Sequence, residues 1–237
     1  MKRILITNDD GITADGIIRL ARVASEFGEV WVVAPDKQRS GVSHSLILRH
    51  EFEAWKVDFP VEGVHAYACS GNPVDCVRIG ALNIVPEKPD YLFAGINDGY
   101  NVATDLQYSG TAGAAFEGAF QEMQSIAFSE DISDDHSVTD RYIREIMIEL
   151  MELPLDTNSI WNVNFPGCPL EECKGILRDR KVSLGVFYKD YYDETKISDD
   201  RSSYMVHGVR KWDAAAGTDL KAVLDKYVSI GIAKNIS

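Results

Sequence analysis

Long apolar runs are missing. Nothing in the 237 residues approaches the roughly eighteen consecutive apolar positions of a membrane-spanning helix, so no membrane partner is expected. Cysteine is scarce, with four residues (Cys69, Cys76, Cys168, Cys173) and no C-x-x-C pair. That count and spacing exclude a dense disulfide scaffold and leave free thiols of a reducing compartment as the expectation. Basic residues are outnumbered, 24 against 37 acidic ones, for a net charge of -13. A long nucleic-acid duplex would be repelled, so no duplex partner is expected, whereas small anions stay accessible where a cation or local basic residues receive them. The signatures G-x-x-x-x-G-K-S/T and G-x-G-x-x-G are absent, so a P-loop nucleotide hydrolase and a dinucleotide oxidoreductase lack their fingerprints. Met1-Lys2-Arg3 is followed only by Ile4 to Ile6 before polar residues intervene, which is no secretory leader, and a cytoplasmic location is the expectation. No internal repeat or low-complexity linker marks a boundary, so residues 1–237 are read as one domain.

The most informative stretch is KRILITNDDG, Lys2 to Gly11, where a β-branched run of strand length stops at two adjacent acids. After Gly11 the apolar residues Ile17, Leu20, Ala21 and Ala24 recur at helical spacing, so Asp9 and Asp10 occupy a strand-to-helix loop. Loops at the carboxyl ends of strands are where open α/β sheets bind ligands. Neighbouring side chains within a strand point to opposite faces, whereas a glycine-closed turn can aim both acids at one ion. The reading is a hard divalent cation, with turn and N-cap chemistry as the alternative that Asn-Asp-Asp-Gly also suits.

Two further strands end in the same way. Glu29 to Ala34 leads into PDKQRSGVSHS, Pro35 to Ser45, and Pro89 to Ile96 leads into Asn97-Asp98-Gly99-Tyr100-Asn101. Asp9, Asp10, Ser40 and Asn97 would then offer two carboxylates, a hydroxyl and an amide oxygen, an all-oxygen set suited to Mg²⁺ or Mn²⁺ rather than zinc. The chemistry this implies is metal-assisted hydrolysis of a phosphate ester. Ser109-Gly110-Thr111 precedes an Ala/Gly-rich helix over Ala112 to Met123, and is either a phosphate cradle or a simple cap. His44 is the one histidine placed for proton transfer, its alternative being an exposed loop residue. Asp75 and Cys76 lie on a helix capped by Asn72 and opened by Pro73, and read as structural.

Elsewhere the spacing predicts helices over Asp15 to Phe27, Thr139 to Leu153 and Gly217 to Lys226. Strands are expected over Tyr67 to Ser70, Ser125 to Ser129, Ile160 to Phe165 and Tyr227 to Ile232, and a hairpin or an excursion over Ser45 to Leu48 and Glu51 to Val57. Lys181 to Val206 carries many tyrosines and charges with no helical period and is read as a long hairpin or arm, either an oligomer contact or a hairpin capped locally.

ILITNDDG, APDKQRSGVSHS, GNPVDCV at 71 to 77, AGINDGYN at 94 to 101, YSGTAGAAFEG at 108 to 118 and the closing GTDLKAV and YVSI together resemble the SurE survival-protein nucleotidase family, in order over nearly the whole chain. The resemblance implies a Rossmann-like, mostly parallel α/β core with a C-terminal hairpin or arm extension, about 175–237, that assembles homodimers or homotetramers. It implies a phosphatase acting on nucleoside 5′- and 3′-monophosphates, and in some members on short polyphosphate, with one divalent cation per subunit. By the same resemblance Asp9, Asp10, Ser40 and Asn97 are metal ligands, Asp9, Asp10 and Asn97 carry the catalysis, and Asn101, Ser109, Gly110 and Thr111 hold phosphate. Ala94 departs from the serine common at that position, which bears on hydrogen bonding around the metal rather than on its ligands. A nucleotide or metal sensor without turnover and a general phosphomonoesterase are the competing readings.

Overall fold

The computed structural model describes residues 1–235. In chain order the elements are β1 (Arg3–Thr7), α1 (Asp15–Ala24), β2 (Glu29–Pro35), β3 (Ala54–Lys56), β4 (His65–Cys69), α2 (Pro73–Ile79), β5 (Tyr91–Asp98), α3 (Gly110–Phe120), β6 (Gln124–Glu130), α4 (Ser137–Glu152), β7 (Ser159–Phe165), β8 (Ile176–Leu177), β9 (Tyr188–Ser198), β10 (Arg201–Arg210), α5 (Asp219–Leu224) and β11 (Val228–Lys234). Nine strands form one sheet in the order β3-β4-β2-β1-β5-β6-β7-β11-β8, and β9 with β10 makes a separate ribbon. From β4 across to β7 all neighbours are parallel, while β3 and β11 run antiparallel to β4 and β7. Among the described residues no helix is long and apolar enough to cross a membrane.

The central strands are near-continuous apolar runs because helices cover both faces. On one face Ile17, Leu20, Ala21 and Ala24 of α1 and Ile143, Ile146, Met147 and Leu150 of α4 pack on Ile4, Ile6, Phe93 and Phe128. On the other, Cys76 and Val77 of α2 and Ala112, Ala114, Ala115 and Phe116 of α3 pack on Leu5, Val33, Leu92 and Ala127. The small side chains of α3 let that helix lie close to the sheet, so its N-terminus is brought down to the strand ends.

The chain leaves β1 toward β2 in one direction and leaves β5 toward β6 in the other, so the strand order reverses between β1 and β5. At such a switch point the two following loops part and open a crevice at the carboxyl edge of the sheet. Asp9 and Asp10 follow β1, and Asn97 closes β5.

Of the two readings of residues 45 to 57, the hairpin does not form and the chain makes an excursion. Only Ala54–Lys56 is a strand, and its partner is β4. Residues 45 to 47 are held by α2 instead: the Ile47 N–H donates to Asp75 Oδ1 (3.1 Å) and Asn72 Nδ2 donates to Ser45 Oγ (3.1 Å). The arm runs further than its tyrosines suggest, since the ribbon ends at Arg210 and its root is built by Phe187.

Candidate active site

The turn after β1 is closed by Asn8, which is fully buried: the Gly11 N–H donates to Asn8 Oδ1 (3.1 Å) and Asn8 Nδ2 donates to Gly11 O (2.9 Å). Asn8 alone thus supplies the turn chemistry, and the N-cap of α1 is Ala14, without a side-chain cap. The two acids are free of both duties. Asp9 is buried and turns to the N-terminus of α3, accepting from the Thr111 hydroxyl (2.5 Å) and the Gly110 N–H (3.1 Å). Asp10 turns toward the end of β5, where its Oδ2 accepts the Asp98 N–H (3.1 Å).

Asn97 is aimed by an irregularity in β5. The β5–β6 register shifts between Ala94 and Asn97, and Gly95 makes this possible: at φ +128°, a Cβ there would lie 2.2 Å from the Phe128 carbonyl oxygen. Asn97 Nδ2 donates to Gly99 O (2.7 Å), which leaves Oδ1 as the outward atom, 3.3 Å from Thr111 Oγ1. Oxygens of Asp9 and Asn97 therefore converge on one hydroxyl. The loop after β2 is drawn to the same place by the Arg39 N–H, which donates to Asp9 O (2.6 Å), and Ser40 follows it on the exposed side.

These residues fit a hard divalent cation. Burial raises the Asp9 carboxyl, and burial with the charge of Asp9 pushes Asp10 up to about 6. The three donors named above, two N–H groups and a hydroxyl, are neutral and leave the paired charge uncompensated. Among the described residues no group of three or more His, Cys, Asp or Glu converges, and Asn97 Oδ1 is the neutral oxygen that the structure brings to the same hydroxyl as Asp9.

Ser109 is the N-cap of α3, its Oγ accepting the Ala112 N–H (3.0 Å), so its hydroxyl serves the helix. Gly110 and Thr111 face Asp9. A Cβ on Gly110 would sit 2.9 Å from Asp9 Oδ2, so glycine lets the helix dipole and the carboxylate meet. Asn101 is buried, its Nδ2 donating to Ser129 Oγ (2.9 Å).

His44 is engaged by Glu117 and Phe120. Its Nε2 lies 2.9 Å from Glu117 Oε2 and its ring stacks on Phe120, with centroids 5.4 Å apart. Glu117 also accepts from Arg78 Nη1 (2.9 Å) and Gln121 Nε2 (2.8 Å), and although burial works against ionisation, His44, Gln121 and Arg78 hold its carboxyl below the ordinary value. With the Ser43 N–H donating to Tyr108 O (3.0 Å), this pair fastens the Ser40 loop along α3. The sequence marked none of Glu117, Arg78 or the Asp98 N–H, because each acts through a tertiary contact that no local pattern encodes. Beside Asp10 opens a cavity of about 400 Å³ reaching Gln38, Asp98, Asp134 and His136, room for the organic part of a small ester.

The family model for "Survival protein SurE" matches residues 4–183. A "5'-nucleotidase SurE" of Thermosipho melanesiensis is 39% identical over 230 residues, covering 96% of this chain and 89% of that protein. A protein of the same name from Clostridium botulinum is 35% identical over 231 residues, covering 96% and 90%. Among solved structures, the SurE protein from Aquifex aeolicus superposes with a TM-score of 0.83 at 32% identity, covering 99% of this chain and 94% of its own.

Proposed function

The chain belongs to the SurE survival-protein family, and from that premise we propose that it is a divalent-metal-dependent nucleotidase that hydrolyses nucleoside 5′- and 3′-monophosphates to nucleoside and phosphate, with short polyphosphate as a further substrate. The observation that carries the reading is the meeting of Asp9, Asp10, the Asn97 Oδ1 and the N-terminus of α3 at the switch point of the sheet. In it, Asp9, Asp10, Ser40 and Asn97 hold one Mg²⁺ or Mn²⁺ per subunit. When bound, such an ion supplies Lewis-acid stabilisation of charge on the phosphoryl oxygens.

The chain's own groups do the rest. In this reading the start of α3 at Gly110 and Thr111 turns its positive end to a phosphate cradle, while the Gly110 N–H and the Thr111 hydroxyl themselves donate to Asp9 and hold that carboxylate beside it. Asn101 and Ser109 shape that cradle from beneath, the first as a buried link and the second as the cap that holds the helix start open. The cavity beside Asp10 takes the nucleoside. The chain from about residue 175 returns β8 and β11 to the central sheet of a single domain, and the β9–β10 arm, which stands outside that sheet, joins subunits into a homodimer or homotetramer.

The test is phosphate release from AMP, GMP, 3′-AMP, short polyphosphate and a sugar phosphate in Mg²⁺ and in Mn²⁺. The expected result is fastest release from the nucleoside monophosphates and none in EDTA. Equal rates on the sugar phosphate would point to a general phosphomonoesterase. Saturable AMP binding without release over hours would make the protein a sensor.

A further inference from the structure

Strand β7 is buried along its whole length, yet it carries two asparagines in alternation. Trp161, Val163 and Phe165 join the core under α1 and α4, and Ile160 joins the core under α3. By the period of two, Asn162 and Asn164 lie on the α3 face with Ile160, toward the carboxyl edge of the sheet. Side-chain amides in a strand covered on both faces require hydrogen-bond partners. Here the partners that the two amides find belong to one residue outside the sheet, Asn101, while Asn162 Oδ1 has none among the described residues.

Asn164 Oδ1 accepts the Asn101 N–H (2.8 Å), and Asn164 Nδ2 lies 3.3 Å from Asn101 O, to which it donates. A side-chain amide thus does for Asn101 what the peptide of a neighbouring strand would do. Asn162 Nδ2 donates to the same carbonyl (2.9 Å), and Ser129, paired with Asn164 across β6 and β7, receives Asn101 Nδ2 (2.9 Å). Two residues on, Ala103 sits at φ +54° with its N–H donating to the buried Asp219 Oδ2 (3.1 Å). Asn101 to Ala103 link the ligand-bearing end of β5 to the start of α3, and they belong to no strand or α-helix of their own.

We infer that Asn164, with Asn162 beside it, is a positioning residue for the phosphate-binding side of the site: it fixes Asn101, and through it the segment between Asn97 and Ser109, without touching substrate. The role rests on the phosphatase reading of that site. The Asp9 carboxylate is oriented by Gly110 and Thr111 on α3, a helix seated by its own packing on the sheet, and Asp10 and Asn97 are set at the end of β5, so loss of Asn164 is expected to act on phosphate more than on the cation.

The test compares the full-length wild type with Asn164→Leu, which keeps approximate volume and removes both bonds, and Asn164→Asp, which keeps the acceptor for the Asn101 N–H and lacks the donor. KM and kcat for AMP, the inhibition constant of inorganic phosphate, Mn²⁺ affinity without substrate, and amide hydrogen exchange over 101 to 103 are measured for each. Asn164→Leu is expected to raise KM and the phosphate inhibition constant by about tenfold, to lower kcat less, to leave Mn²⁺ affinity within about twofold, and to speed exchange at Asn101. Asn164→Asp, with one bond retained, is expected to fall between the two and serves alone if the leucine variant does not fold. Parallel loss of Mn²⁺ and phosphate affinity would reduce Asn164 to a structural residue, and unchanged phosphate inhibition would overturn the role outright. If wild type releases no phosphate from AMP, the functional reading fails by itself, while unprotected amides in the wild type, or unchanged exchange in the variants, overturn the clamp.

Discussion

Asp9 and Asp10 are neighbours in sequence but are oriented by different parts of the molecule, Asp9 by Gly110 and Thr111 and Asp10 by the Asp98 amide. This division depends on Asn8, whose side chain closes the turn and relieves both acids of it. Glu117 illustrates the opposite case, a buried acid fully occupied with support. Its carboxyl is held below the ordinary value, so its contribution to stability is complete above the unfolded-state pKa and is lost as pH falls through the folded-state one. Glu117→Gln is expected to lower unfolding free energy by about 1–3 kcal/mol at pH 7. Denaturant melts should show that deficit hold as pH is lowered to about 4.5 and narrow below it. A deficit that is the same at pH 3 as at pH 7 would show that ionisation of Glu117 is not what stabilises the clamp on His44 and Arg78.

Among the elements, the β9–β10 ribbon stands apart. A two-stranded hairpin is at best marginal in water, and this one exposes Tyr191, Tyr192, Tyr204, Met205 and Val206 over strands of eleven and ten residues. Its root is firm: Phe187 packs with Val102, Ala103 and Leu220, and Arg210 grips Asp131 with two bonds (2.6 and 3.2 Å). A firm root under exposed apolar strands fits an arm that is completed by another subunit. Deleting residues 189–209, which spares that root, is expected to lower the mass measured by light scattering to that of a smaller assembly. An unchanged mass would remove the arm from assembly.

The same scale shows what could be read without coordinates. Each strong strand of the core was visible as a short apolar run ending in polar residues, because burial on both faces leaves that mark. The helix α1 was visible from its 3.6-residue spacing. Residues 45 to 48 were not, since their alternation looks like a strand while the Ile47 N–H goes to Asp75 on α2. Nor were Asn162 and Asn164, which the strand pattern absorbs as part of an ordinary β7. Their only trace was N-x-N in a run otherwise apolar, and its meaning lies in Asn101, some sixty positions away in sequence.

At the scale of the whole molecule, the acidic balance and the sheet topology bear on the same question. A protein with a net charge of -13 that acts on a phosphate ester needs locally placed positive charge. The fold provides one source in the N-terminus of α3, and the residues at the β1 and β5 ends are suited to gather another in a divalent ion. The candidate ligands stand out in the sequence because Asp9, Asp10 and Ser40 follow strands and Asn97 lies at the end of β5, whereas the contacts that orient them do not, being made between elements distant in sequence. Calorimetric titration of Mn²⁺ into the wild type and into Asp9→Asn tests the central claim most directly. One ion bound per chain by the wild type, with affinity reduced about a hundredfold or more in the variant, is the expected result. No binding by the wild type, or equal binding by both, would contradict it.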